Sequence, residues 1–435
     1  MHSRTLLLFC GLAAGCGAAS QAQDQNEPAL DGYVTRAATN SDFDVNGVHV
    51  VCNGVKYLAP GSVRSATEQP IVCPAQTPYL GEHIVIYGTE DAQGHYVYAT
   101  SIATRLPRRD VIAGSAVLDA APVQLPPAKQ PPELLFRADG YWIRMISKTK
   151  VELTSPLQSL ADVKAGDWIK YKAKPDGAGV LIAESVRIGP NEIGSDEEKL
   201  REKDEYDPTS VPADSRQNLV KDAFAMGYDP KKFPPYHDAA MQARIEKIGN
   251  SLVPAYQRAM PESDAAKIRF RFYLVDNRHF CGMMACDAIA LPSGLILVPH
   301  QVVERMQNDS QLAAILADAM ARTLERQQYR IEGKVKMAYA SAVAAPFVPY
   351  DRGFGMVAGE DVANGLLTKE MEQSGRVSLG LLHDAGYDVD QAPIAWWLLA
   401  SRKPRPISEI DMPDRAAYLY RILGESWNNP AAAAQ

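Results

Sequence analysis

The run Asp309-Ser310-Gln311-Leu312-Ala313-Ala314-Ile315-Leu316-Ala317-Asp318-Ala319-Met320-Ala321-Arg322 decides how the C-terminal half of this chain folds. It reads as a helix, with Asp309 or Ser310 as the cap that accepts a hydrogen bond from a free N–H of the first turn. Asp318 and Arg322 stand one turn apart in acid-to-base order, the favourable polarity, worth ~0.2–0.5 kcal/mol if exposed. An ion pair between them is expected. The pattern around this run is helical from about Tyr236 onward. An earlier helix with Ile245, Ile248 and Leu252 on one face precedes a strand at Ile268 to Val275.

Upstream the texture changes. Glu192 to Asp207 is dense in charge and almost free of large apolar residues, which reads as a solvated helix or linker. Pro208, Pro212, Pro230, Pro234 and Pro235 extend the connection to residue 235. Before it, two segments repeat one order of signals. The first runs from Gly32-Tyr33-Val34 through Asn46-Gly47 and Gly81-Glu82 to Tyr96 to Ile102. The second runs from Gly114-Ser115-Ala116-Val117 through Asp139-Gly140 and Gly166-Asp167 to Val180 to Val186. Each reads as short antiparallel strands around an Asn-Gly or Asp-Gly turn. Two tandem barrels are expected, over 30–108 and 111–190, because closure removes the exposed edges of short strands. Trp142, Trp168 and Tyr171 are read as core residues rather than a stacking platform.

The first residues carry an export signal: Arg4, then an apolar core from Leu6 to Ala14. Two outcomes stay open. Cleavage after Ser20-Gln21-Ala22 would remove residues 1–22, whereas Ala13-Ala14-Gly15-Cys16 resembles a lipobox, with 1–15 removed and Cys16 lipidated. Beyond the signal the cysteines form local pairs, Cys52 with Cys73 and Cys281 with Cys286, which suits disulfides in an oxidising compartment. A formal charge of −7 argues against a phosphate-binding surface, so no nucleic-acid partner is expected.

From Ala240 to Leu423 the chain resembles the HtpX-like zinc endopeptidases, the forty-eighth metallopeptidase family. The resemblance rests on the order of three segments: Asp287-Ala288-Ile289-Ala290-Leu291-Pro292-Ser293-Gly294-Leu295, the capped helix quoted above, and the turn Ala385-Gly386-Tyr387-Asp388. The barrel units are similar to OB-like modules of bacterial envelope proteins. The resemblance implies a multidomain α+β protein, with two small antiparallel β-barrels followed by a mainly helical, zincin-like domain over 236–428 carrying a small edge sheet.

The family carries HExxH in its active-site helix, two histidines one turn apart that bind zinc and a glutamate that serves as base. This chain has Asp318-Ala319-Met320-Ala321-Arg322 there, and a methyl group cannot accept a proton. Counting back from the Ala-Gly-Tyr-Asp turn puts Gln373 at the third ligand, or Glu372 with a one-residue shift; a later family histidine is missing beside Arg415. His279, His300 and His383 are read as surface or loop residues. No catalytic residue and no metal ligand are therefore expected, and no cofactor, although zinc would be required if unconventional ligands had kept an active endopeptidase. The favoured expectation is a periplasmic pseudopeptidase, soluble or lipid-anchored to the membrane. Its partner would be an envelope protein or an unfolded segment held along one edge strand, Ala288 to Val298, in a groove at Ala288, Ile289, Pro292, Ser293, Gly294 and Leu295. A purely structural lipoprotein without a peptide partner is the third reading.

Overall fold

The computed structural model describes residues 27–52, 73–105, 110–125, 133–216, 229–277, 287–330, 354–401 and 403–428. The export signal with Cys16, and the Cys281–Cys286 pair, lie outside the described residues. No helix among the described residues is long and apolar enough to cross a membrane.

The N-terminal unit is a closed five-stranded barrel of β1 (Leu30–Thr39), β2 (Asp42–Val45), β3 (Val48–Val51), β4 (His83–Glu90) and β5 (Tyr96–Thr104). Its order around the barrel is β1-β2-β3-β5-β4, with β3 and β5 parallel. Alternation along the strands sends Val34, Phe43, Val45, Val50, Ile84, Ile86 and Val97 into a small core of their own. The Cys52–Cys73 disulfide is formed, and Cys52 belongs to that core. Asn46 and Gly47 both have positive φ, 51° and 81°, which a tight hairpin between β2 and β3 requires.

The second unit contains β6 (Ile112–Val117), β7 (Val123–Gln124), β8 (Leu134–Ala138), β9 (Tyr141–Met145), β10 (Lys150–Leu153), β11 (Trp168–Pro175) and β12 (Val180–Gly189). Asp139 and Gly140 repeat the positive-φ turn, at 56° and 71°. Strand order β6-β11-β12-β9-β8 reproduces the first unit, again with one parallel pair, β9 with β12. The expected second closed barrel is not observed. It is an open seven-stranded sheet with β7 added beyond β8, in which β6 and β8 meet, among the described residues, only at a Leu118–Ala138 bridge and an Asp119 N–H to Arg137 carbonyl bond. The reason lies in the helical region. Val117 N–H donates to the Glu325 carboxylate at 3.2 Å, and the Ser115 carbonyl accepts from Gln373 Nε2 at 3.0 Å. Side chains thus take strand positions along the seam.

The segment after the sheets is helical at α1 (Ser195–Lys203) but not wholly solvated. Glu197 is buried between Arg201 on its own helix and Arg326, so this segment is tied to the domain that follows.

The C-terminal region contains α2 (Ala239–Leu252), α3 (Ala255–Ala259), α4 (His300–Arg305), α5 (Asp309–Leu324), α6 (Phe354–Asp384), α7 (Gln391–Ala400), α8 (Asp414–Ile422) and a π-helical turn, Leu423–Trp427. Its sheet has the order β13 (Arg271–Val275), β15 (Leu295–Pro299), β14 (Ile289–Ala290). Helix α5 sits at its centre, with Leu312 to Ala317 and Ala319 to Ala321 all inaccessible to solvent. A helix apolar on every side needs neighbours all round, and α2, α6 and α7 supply them. One core joins these helices to the second sheet, so the expected boundary between them is not a break in packing.

Candidate functional site

Side chains projecting from the second half of α5 form a charge cluster with residues of α6, α8 and the segment before β14. Asp318 is fully buried. Its Oδ2 lies 2.7 Å from Arg322 Nη2, so the ion pair expected from the spacing is present. Its Oδ1 accepts from Ser374 Oγ on α6 at 2.8 Å and meets the Arg415 guanidinium at the start of α8. Arg322 reaches on to Asp287 at 2.5 Å, just before β14, and Arg415 lies 3.6 Å from the same carboxylate. The Arg415 guanidinium also stacks over the Trp396 ring, 3.2 Å from its centroid. Such contact satisfies a cation that water does not reach.

Burial pushes the Asp318 carboxyl up, but the Arg415 and Arg322 charges more than offset it and hold it below the usual carboxylate range. Burial lowers Arg415 below the usual guanidinium value despite Asp318. A buried, oppositely charged cluster of this kind is costly to desolvate and much costlier to leave half-made.

The positions singled out in the sequence do not all meet. Asp318, Ala319 and Arg322 occupy α5 as expected, with Ala319 packed into apolar core. Gln373 points elsewhere: its amide bonds Ser115 of the second sheet and lies 3.4 Å from Gln327 Nε2. The α6 residue that reaches Asp318 is Ser374, one position on. Spacing alone had no means of finding it, because one residue rotates a helical side chain by about 100°. Asp287 was missed as well, for its role depends on the chain reversal that brings it beside α5.

These residues do not fit a zinc ion. Both Asp318 oxygens are engaged by cations and a hydroxyl, Ala319 offers no acceptor, and Gln373 faces another element. Among the described residues no group of three His, Cys, Asp or Glu is placed to hold a metal. His300 is not the surface residue expected; it is buried and stacked on Tyr236 with ring centroids 3.9 Å apart.

The groove residues also need correction. A single edge strand over 288–298 is expected, whereas the chain folds there as a hairpin. Only Ile289 and Ala290 form the edge, pairing with Leu297 and Ile296. Leu295 opens the central strand β15 and is inaccessible to solvent, because β13 covers its other side. Gly294 turns the hairpin with φ 88°, and a Cβ there would lie 2.8 Å from the Arg269 carbonyl oxygen. Ala288, Ile289 and Pro292 are buried, and Ser293 is half-buried beside the Asp204 carbonyl. A cleft of about 540 Å³ does open along the β14 edge. Ala290, Leu291 and Pro292 form one wall and Arg322, Thr323 and Gln327 of α5 and its C-terminal extension the other. Thr323 Oγ1 already bonds the Leu291 carbonyl across it at 3.2 Å. The ion cluster thus forms one end of a strand-lined cleft.

No protein-family model matches the chain, and a search of curated proteins found no match.

Proposed function

We propose that this chain is an exported, non-catalytic relative of the HtpX-like zinc endopeptidases, working in the periplasm as a soluble or lipid-anchored protein. It carries OB-like modules ahead of the peptidase-like domain. Its task is to hold a segment of an envelope protein in extended form beside β14 without cutting it. One observation carries this reading: Asp318 and Arg322, at the two positions where the resemblance puts the histidine ligands, are tied to each other and to Arg415 in an ion cluster, and Ala319 stands where the base would be. Hydrolysis of an amide needs a water made nucleophilic by a metal or a base. Here the carboxylate is neutralised by cations, and its neighbour is alanine.

Binding has different requirements. An extended segment pairs with a sheet edge through main-chain hydrogen bonds, and side-chain pockets select among segments. The β14 edge and the apolar Leu291 and Pro292 beside it supply both. The test uses Ala290→Cys carrying a photo-crosslinker, mixed with reduced, carboxymethylated serum albumin as a permanently unfolded chain. The reading expects a covalent adduct with full-length albumin. Cleaved albumin, or no adduct from a folded variant, contradicts it.

A further inference from the structure

A second cleft, of about 460 Å³, opens where the second sheet meets the helices. Residues of β6, β9 and β12 line one side of it, and residues of α6, α8 and the π-helical turn the other. Arg376 of α6 is the most thoroughly engaged of its charged groups. It donates to one Asp139 oxygen at 2.7 Å and to the Tyr418 hydroxyl, and its guanidinium lies 4.9 Å from the centre of the Tyr141 ring. The other Asp139 oxygen accepts from Tyr171 OH at 2.6 Å. Acid and base therefore balance at this point.

Four groups in the wall remain unspent. Tyr141 is only 7% exposed, yet no described residue bonds its hydroxyl. A phenol buried to that extent ordinarily finds a partner. Tyr418 OH accepts from Arg376, and its own proton has no acceptor among the described residues. Arg421 packs over the Tyr418 ring at 4.7 Å, and its Nε is inaccessible to solvent and bonds nothing. Among the described residues nothing accepts from Arg421 and nothing donates to Glu372. Glu372 is one of the carboxylates whose field reaches Arg421, but the two do not meet as an ion pair.

We propose that this cleft binds a free amino acid with an apolar side chain, held as the zwitterion. Its carboxylate accepts from Arg421 and from the Tyr141 and Tyr418 hydroxyls, and its ammonium donates to Glu372. Charge selects this class of ligand. The rim carries both signs, Arg330 and Lys369 against Asp110, Glu370 and Glu425, so neither a net anion nor a net cation is called for. A neutral polyol would meet the hydroxyls and leave the separated charges of Arg421 and Glu372 unmatched. Val111, 42% exposed, supplies apolar surface on the sheet side for the side chain to cover. The helix distortion belongs to the same site. π-Helical turns occur often at functional positions, and here the turn brings Glu425 and Ser426 to the cleft. Nothing in this site depends on the β14 cleft, which another sheet forms.

The experiment is equilibrium dialysis of the whole protein against radiolabelled L-leucine, with unlabelled competitors. Saturable binding is expected, displaced by L-leucine. N-acetyl-L-leucine lacks the ammonium and L-leucinamide the carboxylate, so each should compete about tenfold less well or worse. Glycine, without a side chain, should also compete more weakly than leucine. Arg421→Gln and Glu372→Gln should each weaken leucine binding by about tenfold or more at an unchanged melting temperature. The analogues test the same contacts on the wild-type protein, so the outcome does not hang on how a variant folds. Absence of saturable leucine binding at millimolar concentration overturns the proposal. Equal competition by the acetylated or amidated analogue overturns it as well, because the ligand would then need only one of its charges.

Discussion

Take away the Asp318 charge and the part-buried guanidinium groups of Arg322 and Arg415 are left to share the one carboxylate of Asp287. Asp318→Asn should therefore cost about 3–5 kcal/mol in urea unfolding at pH 7, as removal of one partner from a buried ion cluster does. The folded-state carboxyl lies below its ordinary value, so its stabilisation is present above the unfolded carboxyl range. It is lost as pH falls through the folded value. Wild type should lose stability below about pH 4 more steeply than Asp318→Asn, and equal slopes would contradict the pairing. Glu325 has the opposite sign. Burial, with Asp119 and Asp139 nearby, raises its carboxyl well above the ordinary range, and the Val117 N–H only partly counters this. Its contribution is complete below the unfolded pKa and is lost as pH rises through the folded one. Glu325→Gln keeps an acceptor for Val117 and removes the charge. Its melting temperature should rise relative to wild type more at pH 8 than at pH 5; a constant difference would show that Glu325 stays neutral or stays charged across that range.

Among the elements, the hairpin turns and helix α5 show what the sequence made legible. Asn46-Gly47 and Asp139-Gly140 were readable as turns because few other residue pairs tolerate positive φ at both positions. Their docking was not readable, since it depends on which helix arrives. Gly140 lies against the α6 backbone, and a Cβ there would stand 2.4 Å from the Arg376 carbonyl. Gly140→Ala combines that clash with a positive φ, so it should destabilise by about 1–3 kcal/mol. Gly177→Ala, at a turn with φ 84° and open space around it, separates the backbone part of that cost from the clash. Equal losses for the two would remove the docking argument. Helix α5 was readable as a helix, but its cap is Asn308, whose side chain accepts from Gln311 N–H at 2.9 Å, rather than Asp309 or Ser310. Five adjacent polar residues, Gln307 to Gln311, make the starting position ambiguous in sequence. The hairpin at 287–299 was misread as one strand because its apolar run is continuous, and a central strand buried on both faces gives no alternation.

Across the whole molecule there are unequal units. The first barrel has a small core closed by the Cys52–Cys73 disulfide, whereas the second sheet and the helices share one large core. Contacts between them are local: Gly81 and Gly424 approach backbone to backbone, and Gly47 packs on Trp397. Unfolding should show a separate early transition for the barrel. The disulfide closes a loop over a separation of 21 residues, a constraint worth about 3 kcal/mol. Reductant should therefore lower the barrel transition and leave the main one in place; a single shifted transition would show that the barrel does not unfold alone.

The same architecture places the ion cluster between the large core and the β14 cleft, where α5, α6, α8 and the residue before β14 converge. If it has replaced a metal, the protein must fold and persist without one. The direct measurement is zinc content by elemental analysis of protein purified without chelator and dialysed against metal-free buffer. The account predicts far less than one zinc per chain, with the folded signal unchanged by added chelator. One firmly held zinc per chain, lost in Asp318→Asn, would contradict it.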